Sequence, residues 1–366
     1  MDFAITNAAA IPSPALLIDL NAAQENLRRM LAIAGSPDRL RPHVKTHKLA
    51  PLVATQVALG VTKFKCATVA EAEMTAAAGG RDILLALPPV GPNAARFVEL
   101  MRRFPAVKWL TLADDAGALA TLADAARAAG LAAEVMLDLD TGQHRTGIAP
   151  GPDAVALYNT ICTTPGLAPG GLHAYDGHLH QTDLAERTTT CETAWQGVVE
   201  MQRALAAAGL PVPRLVAGGT PTFPMHARRD GVECSPGTCV LWDAGYANKL
   251  PDLPFRHAAW LLTRVISRTA PGTITLDLGH KAVASEMPHP RVIFPALPDA
   301  TALMHSEEHL VLATKRAAEL PVGTVLYGIP WHICPTVALH SECHVVRDGV
   351  AGEIWPITAR ARRLNV

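Results

Sequence analysis

The segment RPHVKTHK packs His43, Lys45, His47 and Lys48 into six residues. Taken as the first strand of a parallel sheet, it puts His43 and Lys45 on one face, because strand side chains alternate. An amine there loses water, and desolvation lowers its pKa toward the range of a nucleophile or a base. DLDTGQHRTG sets Arg145 in a glycine-flanked loop, where a guanidinium suits a phenolate or a carboxylate. GLHAYDGHLH carries His173 and Tyr175 on one strand face, with His178 and His180 in the loop that follows. Each of these histidines has the range of a general base. AGGTPT and SPGT offer Gly219, Thr220, Gly237 and Thr238, whose amides and hydroxyls can cradle a phosphate. In PWHICPTVALHSECHVV, His332 and Cys334 stand two apart; on an extended segment they face one side and reach a single ion. Two ligands are too few for a closed structural zinc centre and suit an open one, where the ion acts as a Lewis acid. Singly, each grouping has an ordinary reading as solvated lysine, packed histidine or turn glycine.

The elements that must position these groups follow a pattern. From residue 39 onward, apolar and β-branched runs alternate with Ala-rich helical stretches, the mark of a parallel sheet with crossover helices. The expected strands are Leu40–Lys45, Lys63–Thr68, Asp82–Leu87, Val107–Leu112, Ala133–Asp138, Gly171–Tyr175, Arg214–Gly218 and Val232–Leu241. Between them fall helices over Ala50–Gly60, Val69–Ala78, Pro92–Phe104, Ala116–Ala129, Pro152–Thr163 and Leu184–Ala208. Eight units in about 200 residues predict a (β/α)8 barrel, and no GxGxxG follows a strand to favour a dinucleotide fold. Barrel chemistry sits at the C-terminal strand ends, with phosphate held by the loops after strands seven and eight. A lysine at one strand end with a phosphate cradle across the mouth is the arrangement that holds pyridoxal phosphate as a Schiff base. Beyond about residue 240, short β-rich runs separated by Pro and Gly predict an all-β domain. The expected division is an N-terminal segment 1–20 pairing with the β-domain, a barrel over 21–240, and a β-domain over 241–366 carrying the metal ligands.

Composition narrows the partners. Of 366 residues, 49% are hydrophobic and 18% charged, with a formal charge of -1, so no global field draws the chain to nucleic acid or to an anionic membrane. A small-molecule substrate is expected. The seven cysteines are odd in number and follow no framework spacing, which predicts reduced thiols. No basic residue precedes Arg28 and Pro12 and Pro14 interrupt the first apolar stretch, so no secretory signal is expected, and a cytoplasmic location is the expectation.

Together these motifs resemble, over nearly the whole chain, the metal-activated pyridoxal-phosphate enzymes that include D-threonine aldolase and eukaryotic-type D-serine dehydratase, relatives of alanine racemase. The resemblance implies Lys45 as the Schiff-base lysine, Arg145 near the cofactor's 3-oxygen and Tyr175 beside the cofactor. It further implies phosphate contacts from Gly219, Thr220, Gly237 and Thr238, and His332 and Cys334 as ligands of a divalent metal. It also implies a homodimer. Pro221 departs from the pattern where a further glycine is common, removing one amide donor. Cys334 stands where some aldolases carry Asp; a thiolate favours zinc, whereas Asp suits manganese or magnesium.

Two outcomes on a D-3-hydroxy amino acid follow. If a base (His173, His178 or His180) takes the hydroxyl proton, the Cα–Cβ bond breaks and glycine and an aldehyde result. If Lys45 takes the Cα proton, the hydroxyl leaves and the products are a 2-oxo acid and ammonia, as for a D-serine or D-threo-3-hydroxyaspartate dehydratase. The aldolase is favoured because DAGYANKLPDLPF and LDLGHKAVASE look closest to the D-threonine aldolase group. A racemase would use a second acid/base tyrosine, for which Tyr246 and Tyr327 are available, but leaves HICP unexplained. A non-catalytic pyridoxal-phosphate-binding protein would usually lack residues 240–366 altogether.

Overall fold

Apolar runs followed by Ala-rich helices assemble into seven parallel strands in chain order: Lys63–Cys66, Asp82–Leu85, Lys108–Ala113, Ala133–Asp140, Leu167–Tyr175, Leu215–Ala217 and Val232–Cys234. The computed structural model describes residues 3–366 and divides into two units; this sheet belongs to the one made of residues 30–45, 50–237 and 361–366. The eighth place in the ring is filled by residues 40–43, where Leu40 bridges Cys234 and His43 bridges Lys65, joining the two edge strands into a (β/α)8 barrel. The first strand is therefore shorter than Leu40–Lys45. Pro42 has no amide to donate and only accepts, from Lys65 N at 2.9 Å, and Val44–Thr46 then turns into a 3-10 helix. The last strand ends at Cys234 rather than Leu241, because the Pro236 turn leads into the 3-10 helix Thr238–Val240.

Local chemistry sets the helix ends. Thr68, Asp115 and Asp183 accept from the amides of Glu71, Ala118 and Glu186 at three helix starts. Gly130 and Gly209, at φ +69 and +70, close two helices in the left-handed region. Leu84, Leu110, Leu112, Met136 and Val216 form an apolar cluster of the strands. A buried ion network closes the ring: Arg41 donates to Asp82 at 2.9 Å and Glu233 at 2.7 Å, and Lys63 donates to Glu233 at 2.7 Å.

The other unit comprises residues 3–29, 46–49 and 238–360 and is built on a mostly antiparallel sheet. Strand Ala15–Asp19 runs parallel to Glu342–Arg347 and antiparallel to Ala259–Ser267, which also pairs with Thr273–Leu276 and Val325–Pro330. Leu17, Trp260, Leu262, Ile329 and Val346 are buried together on it. The segment carrying His332 and Cys334, expected to be extended, runs instead into the helix Ile333–Leu339. Ala259–Ser267 escapes an alternation search because its first five residues are all buried. Among the described residues no helix is long and apolar enough to cross a membrane, and no disulfide forms.

Candidate active site

In the barrel unit, Lys45 sits half-buried in the Val44–Thr46 turn and lines a pocket with His43, Lys65, Asp138, Arg145, His173 and Tyr175. Cations crowd one aromatic ring: Lys45 Nζ, Lys65 Nζ and the Arg145 guanidinium lie 5.6, 5.1 and 5.0 Å from the Tyr175 centroid. Strand alternation carries Lys65 into this pocket two residues beyond Lys63. Its Nζ lies 3.1 Å from His173 Nε2, and His173 Nδ1 lies 2.6 Å from Asp138 Oδ1. Burial, and then the charge of Lys65, push the His173 imidazole below its usual range. Burial would raise Asp138, but its bond to His173 holds it below the usual carboxylate range. The arrangement is therefore an ionised carboxylate, a neutral imidazole donating through Nδ1, and an amine donating to Nε2. Burial, followed by the charge of Lys45, pushes the Lys65 amine down to about 7.

The glycine loop lies at the end of the strand Leu215–Ala217. Gly218 adopts φ +78, and a Cβ on it would lie 2.6 Å from the His226 ring; one on Gly219 would lie 3.0 Å from Tyr175. Only glycines let the backbone pass there. The Gly219 amide faces the Thr222 hydroxyl at 3.4 Å, and the Gly237 amide donates to Thr220 at 3.2 Å. Ser235, two residues after Glu233, keeps a buried hydroxyl with no partner among the described residues. Thr238, grouped with these by its sequence, belongs to the other unit, where its hydroxyl lies 3.6 Å from Cys334 Sγ.

Behind the loop, Asp176, Cys191 and His226 bring ligand-type atoms within 4.8 Å of one another. The Arg229 Nε–H donates to His226 Nδ1 at 3.3 Å, so the ring proton sits on Nε2 and is given to Asp176 at 2.6 Å. Burial, then Asp176, push the Cys191 thiol up to about 12, which keeps its proton on. With Thr222 donating to Asp176 at 2.6 Å, the cluster is a hydrogen-bonded support for the loop.

In the other unit, His332 and Cys334 converge through a helix start and not through strand alternation: His332 is the N-cap of Ile333–Leu339 and Cys334 lies in its first turn. The Ile333 amide donates to Asp243 at 3.0 Å, supplying the cap that His332 does not. His332 Nδ1 donates to Glu286 at 2.5 Å, which turns Nε2 toward the Cys334 thiol. The Thr46 hydroxyl lies 3.2 Å from Cys334 Sγ. A soft sulfur and an imidazole nitrogen form a donor pair that fits a divalent ion.

The three histidines considered as bases separate. His173 is buried, lines the pocket and is bonded at both ring nitrogens; His178 has a buried Nδ1 with no partner among the described residues, His180 is exposed, and neither of these two is among the pocket-lining residues. Lys65, Asp138, Glu286 and Asp243 escape sequence reasoning. Only the Lys63/Lys65 alternation in KFKC gave a signal, two charges on one face of an otherwise buried strand.

Residues 18–243 match the family model described as "Alanine racemase, N-terminal domain", and residues 258–346 match the "Putative serine dehydratase domain". The D-threonine aldolase of Arthrobacter sp is 33% identical over 359 residues, covering 96% of this chain and 93% of that protein. The D-threo-3-hydroxyaspartate dehydratase of Delftia sp. (strain HT23) is 31% identical over 354 residues, 90% of this chain and 92% of that one. The crystal structure of D-threonine aldolase from Filomicrobium marinum superposes with a TM-score of 0.90 at 31% identity, covering 98% of both chains. A cysteine-to-alanine variant of a D-threo-3-hydroxyaspartate dehydratase in the metal-free form superposes with a TM-score of 0.82 at 29% identity, covering 97% of this chain and 99% of that one. The barrel with its pocket of cations, the separate sheet unit and the match along the full length agree: the chain belongs to the alanine-racemase-like family of pyridoxal-phosphate-dependent lyases that includes D-threonine aldolase and D-threo-3-hydroxyaspartate dehydratase.

Proposed function

We propose that the chain is a D-threonine aldolase, cleaving D-threonine and related D-3-hydroxy amino acids to glycine and an aldehyde with pyridoxal phosphate and a divalent ion. The observation that carries this reading is the end-to-end similarity to D-threonine aldolases in both sequence and structure. The pocket fits the cofactor. A Cβ on Gly218 would clash with the His226 ring and one on Gly219 would crowd Tyr175, the Ser235 hydroxyl is buried without a partner among the described residues, and three cations face Tyr175. Lys45 would hold the cofactor as a Schiff base, Arg145 and Tyr175 would flank it, and Gly219, Thr220, Gly237 and Thr238 would hold its phosphate. When bound, the cofactor supplies an electron sink conjugated to the substrate's Cα.

The chain's own groups do the rest. His332 and Cys334 would hold the ion that polarises the β-hydroxyl, with zinc favoured by the thiolate and manganese the harder alternative. His173, His178 and His180 are the candidate bases for the hydroxyl proton. His178 combines partial burial, which lowers its pKa, with an unspent ring nitrogen, and this favours it over the fully bonded His173. A cytoplasmic homodimer completes the proposal.

A dehydratase is the second reading. His-x-Cys in place of His-x-Asp favours it, as do the 31% identity to the Delftia enzyme and a metal-free form of a related dehydratase lacking a cysteine. Both readings need Lys45. Borohydride reduction of the enzyme followed by peptide mapping should find the pyridoxyl group on Lys45. A label on Lys48 or Lys65 instead contradicts the assignment.

A further inference from the structure

The reading above leaves one pocket group without a task. Lys65 is 2% exposed, yet among the described residues the only hydrogen bond of its side chain is the one to His173. An ammonium has three donors, so two are unspent. The nearby carboxylates are already engaged: Asp138 by His173 and the Thr146 hydroxyl, Asp176 by His226 and the Thr222 hydroxyl, Asp140 by His144 and the Gly142 amide. Lys45, Lys65 and Arg145 thus face one ring without a carboxylate free to pair with them. Gathering buried cations is costly unless an anion joins them. The downward push on the Lys65 amine registers that cost, with burial the first cause and Lys45 the second.

The identity of the anion follows from the chemistry of the ring. In pyridoxal phosphate, the ring oxygen sits on the carbon next to the one bearing the aldehyde, so wherever Lys45 holds the aldehyde carbon the oxygen lies beside it. On the proposed reading the phosphate would go to the glycine loop and is not the anion these cations would meet. We infer that Lys65, oriented by His173 and Asp138, is a cofactor-binding residue that takes the phenolate oxygen of the pyridoxal ring together with Arg145. His173 and Asp138 are then positioning residues: the carboxylate fixes the imidazole tautomer, and the imidazole fixes the direction of the amine. The inference rests on Lys45 as the Schiff-base lysine.

The test uses the full chain, stripped of cofactor and titrated with pyridoxal 5'-phosphate and with its 3-deoxy analogue, which lacks the ring oxygen. The wild-type chain should bind pyridoxal phosphate the more tightly. Lys65→Met should weaken pyridoxal phosphate by roughly 10-fold or more, the worth of a charge-assisted hydrogen bond, and leave the 3-deoxy analogue within about 2-fold. Lys65→Arg should recover most of the loss, and Lys65→Gln is read in the same way as Lys65→Met if that variant does not fold. Equal losses for both cofactors would make Lys65 merely structural and overturn the inference. So would unchanged affinities with a raised KM for D-threonine, which would assign Lys65 to the substrate carboxylate. A wild-type chain that binds neither cofactor would overturn the pyridoxal reading along with it.

Discussion

At the scale of single residues, the chemistry divides into groups legible one by one and groups that exist only as pairs. Lys45, Arg145, His332 and Cys334 stand out in the sequence because residue type and motif coincide. Glu286 does not, since it lies 46 residues from His332 and nothing local marks it. Its carboxylate orients the imidazole that would bind the ion, so Glu286→Gln should weaken metal affinity by about 10- to 100-fold while leaving cofactor absorbance intact. Competition with a chromogenic chelator measures this, and an unchanged affinity would remove Glu286 from the metal site. Lys65 makes a second prediction. Burial and then Lys45 lower its amine from 10.5 to about 7, Asp138 and Asp176 pull upward, and Arg145 adds to the depression. His43 and His173, which also face it, are held below their usual range by burial. Between about pH 7 and 10.5 the unfolded chain binds a proton that the folded chain has released, so Lys65 makes stability rise with pH across that window and contributes no slope below it. Melting of the cofactor-stripped protein against pH should therefore be flatter over that window in Lys65→Met. An unchanged slope contradicts the assignment.

At the scale of elements, the barrel was legible because its period is strong: the helix Pro152–Thr163 has the expected bounds, and Leu184–Ala207 ends one residue early. Two elements were misread for physical reasons. HICPT looks extended because Ile and Thr favour strands, but Pro335 is tolerated in a helix's first turn, and Asp243, 90 residues away, caps the Ile333 amide. The first strand looks continuous, yet it is held at Leu40 and His43 by isolated bridges. That weakly paired segment leans on Arg41, which is fully buried and bonded to Glu233 on one neighbouring strand and, beyond Lys63–Cys66 on the other side, to Asp82. Arg41→Ala leaves the partly buried Asp82 without its cation and Glu233 with Lys63 alone, and should cost about 3–5 kcal/mol in denaturant unfolding. A loss below about 1 kcal/mol, the range of an exposed pair, would show that the network does not hold the ring closed.

At the scale of the whole molecule, the sequence pattern anticipates a parallel barrel and a sheet-rich unit but not their threading. Residues 46–49, directly after Lys45, belong to the sheet unit, and residues 361–366 return to the barrel unit. No periodicity encodes that exchange. It arises from contacts such as Thr46 with Cys334 in one unit and Arg96 with the Val366 backbone in the other. The turn carrying Lys45 thus passes straight into the residue that touches Cys334. On the proposed reading a single chain would supply a Schiff-base lysine and an ion-binding pair, and the bond broken would decide between aldolase and dehydratase. The most direct measurement is product analysis from D-threonine with pyridoxal phosphate and a divalent ion, with and without chelator. Glycine and acetaldehyde in equal amounts, lost on chelation and restored by the ion, are predicted; 2-oxobutanoate and ammonia in their place would contradict the aldolase assignment.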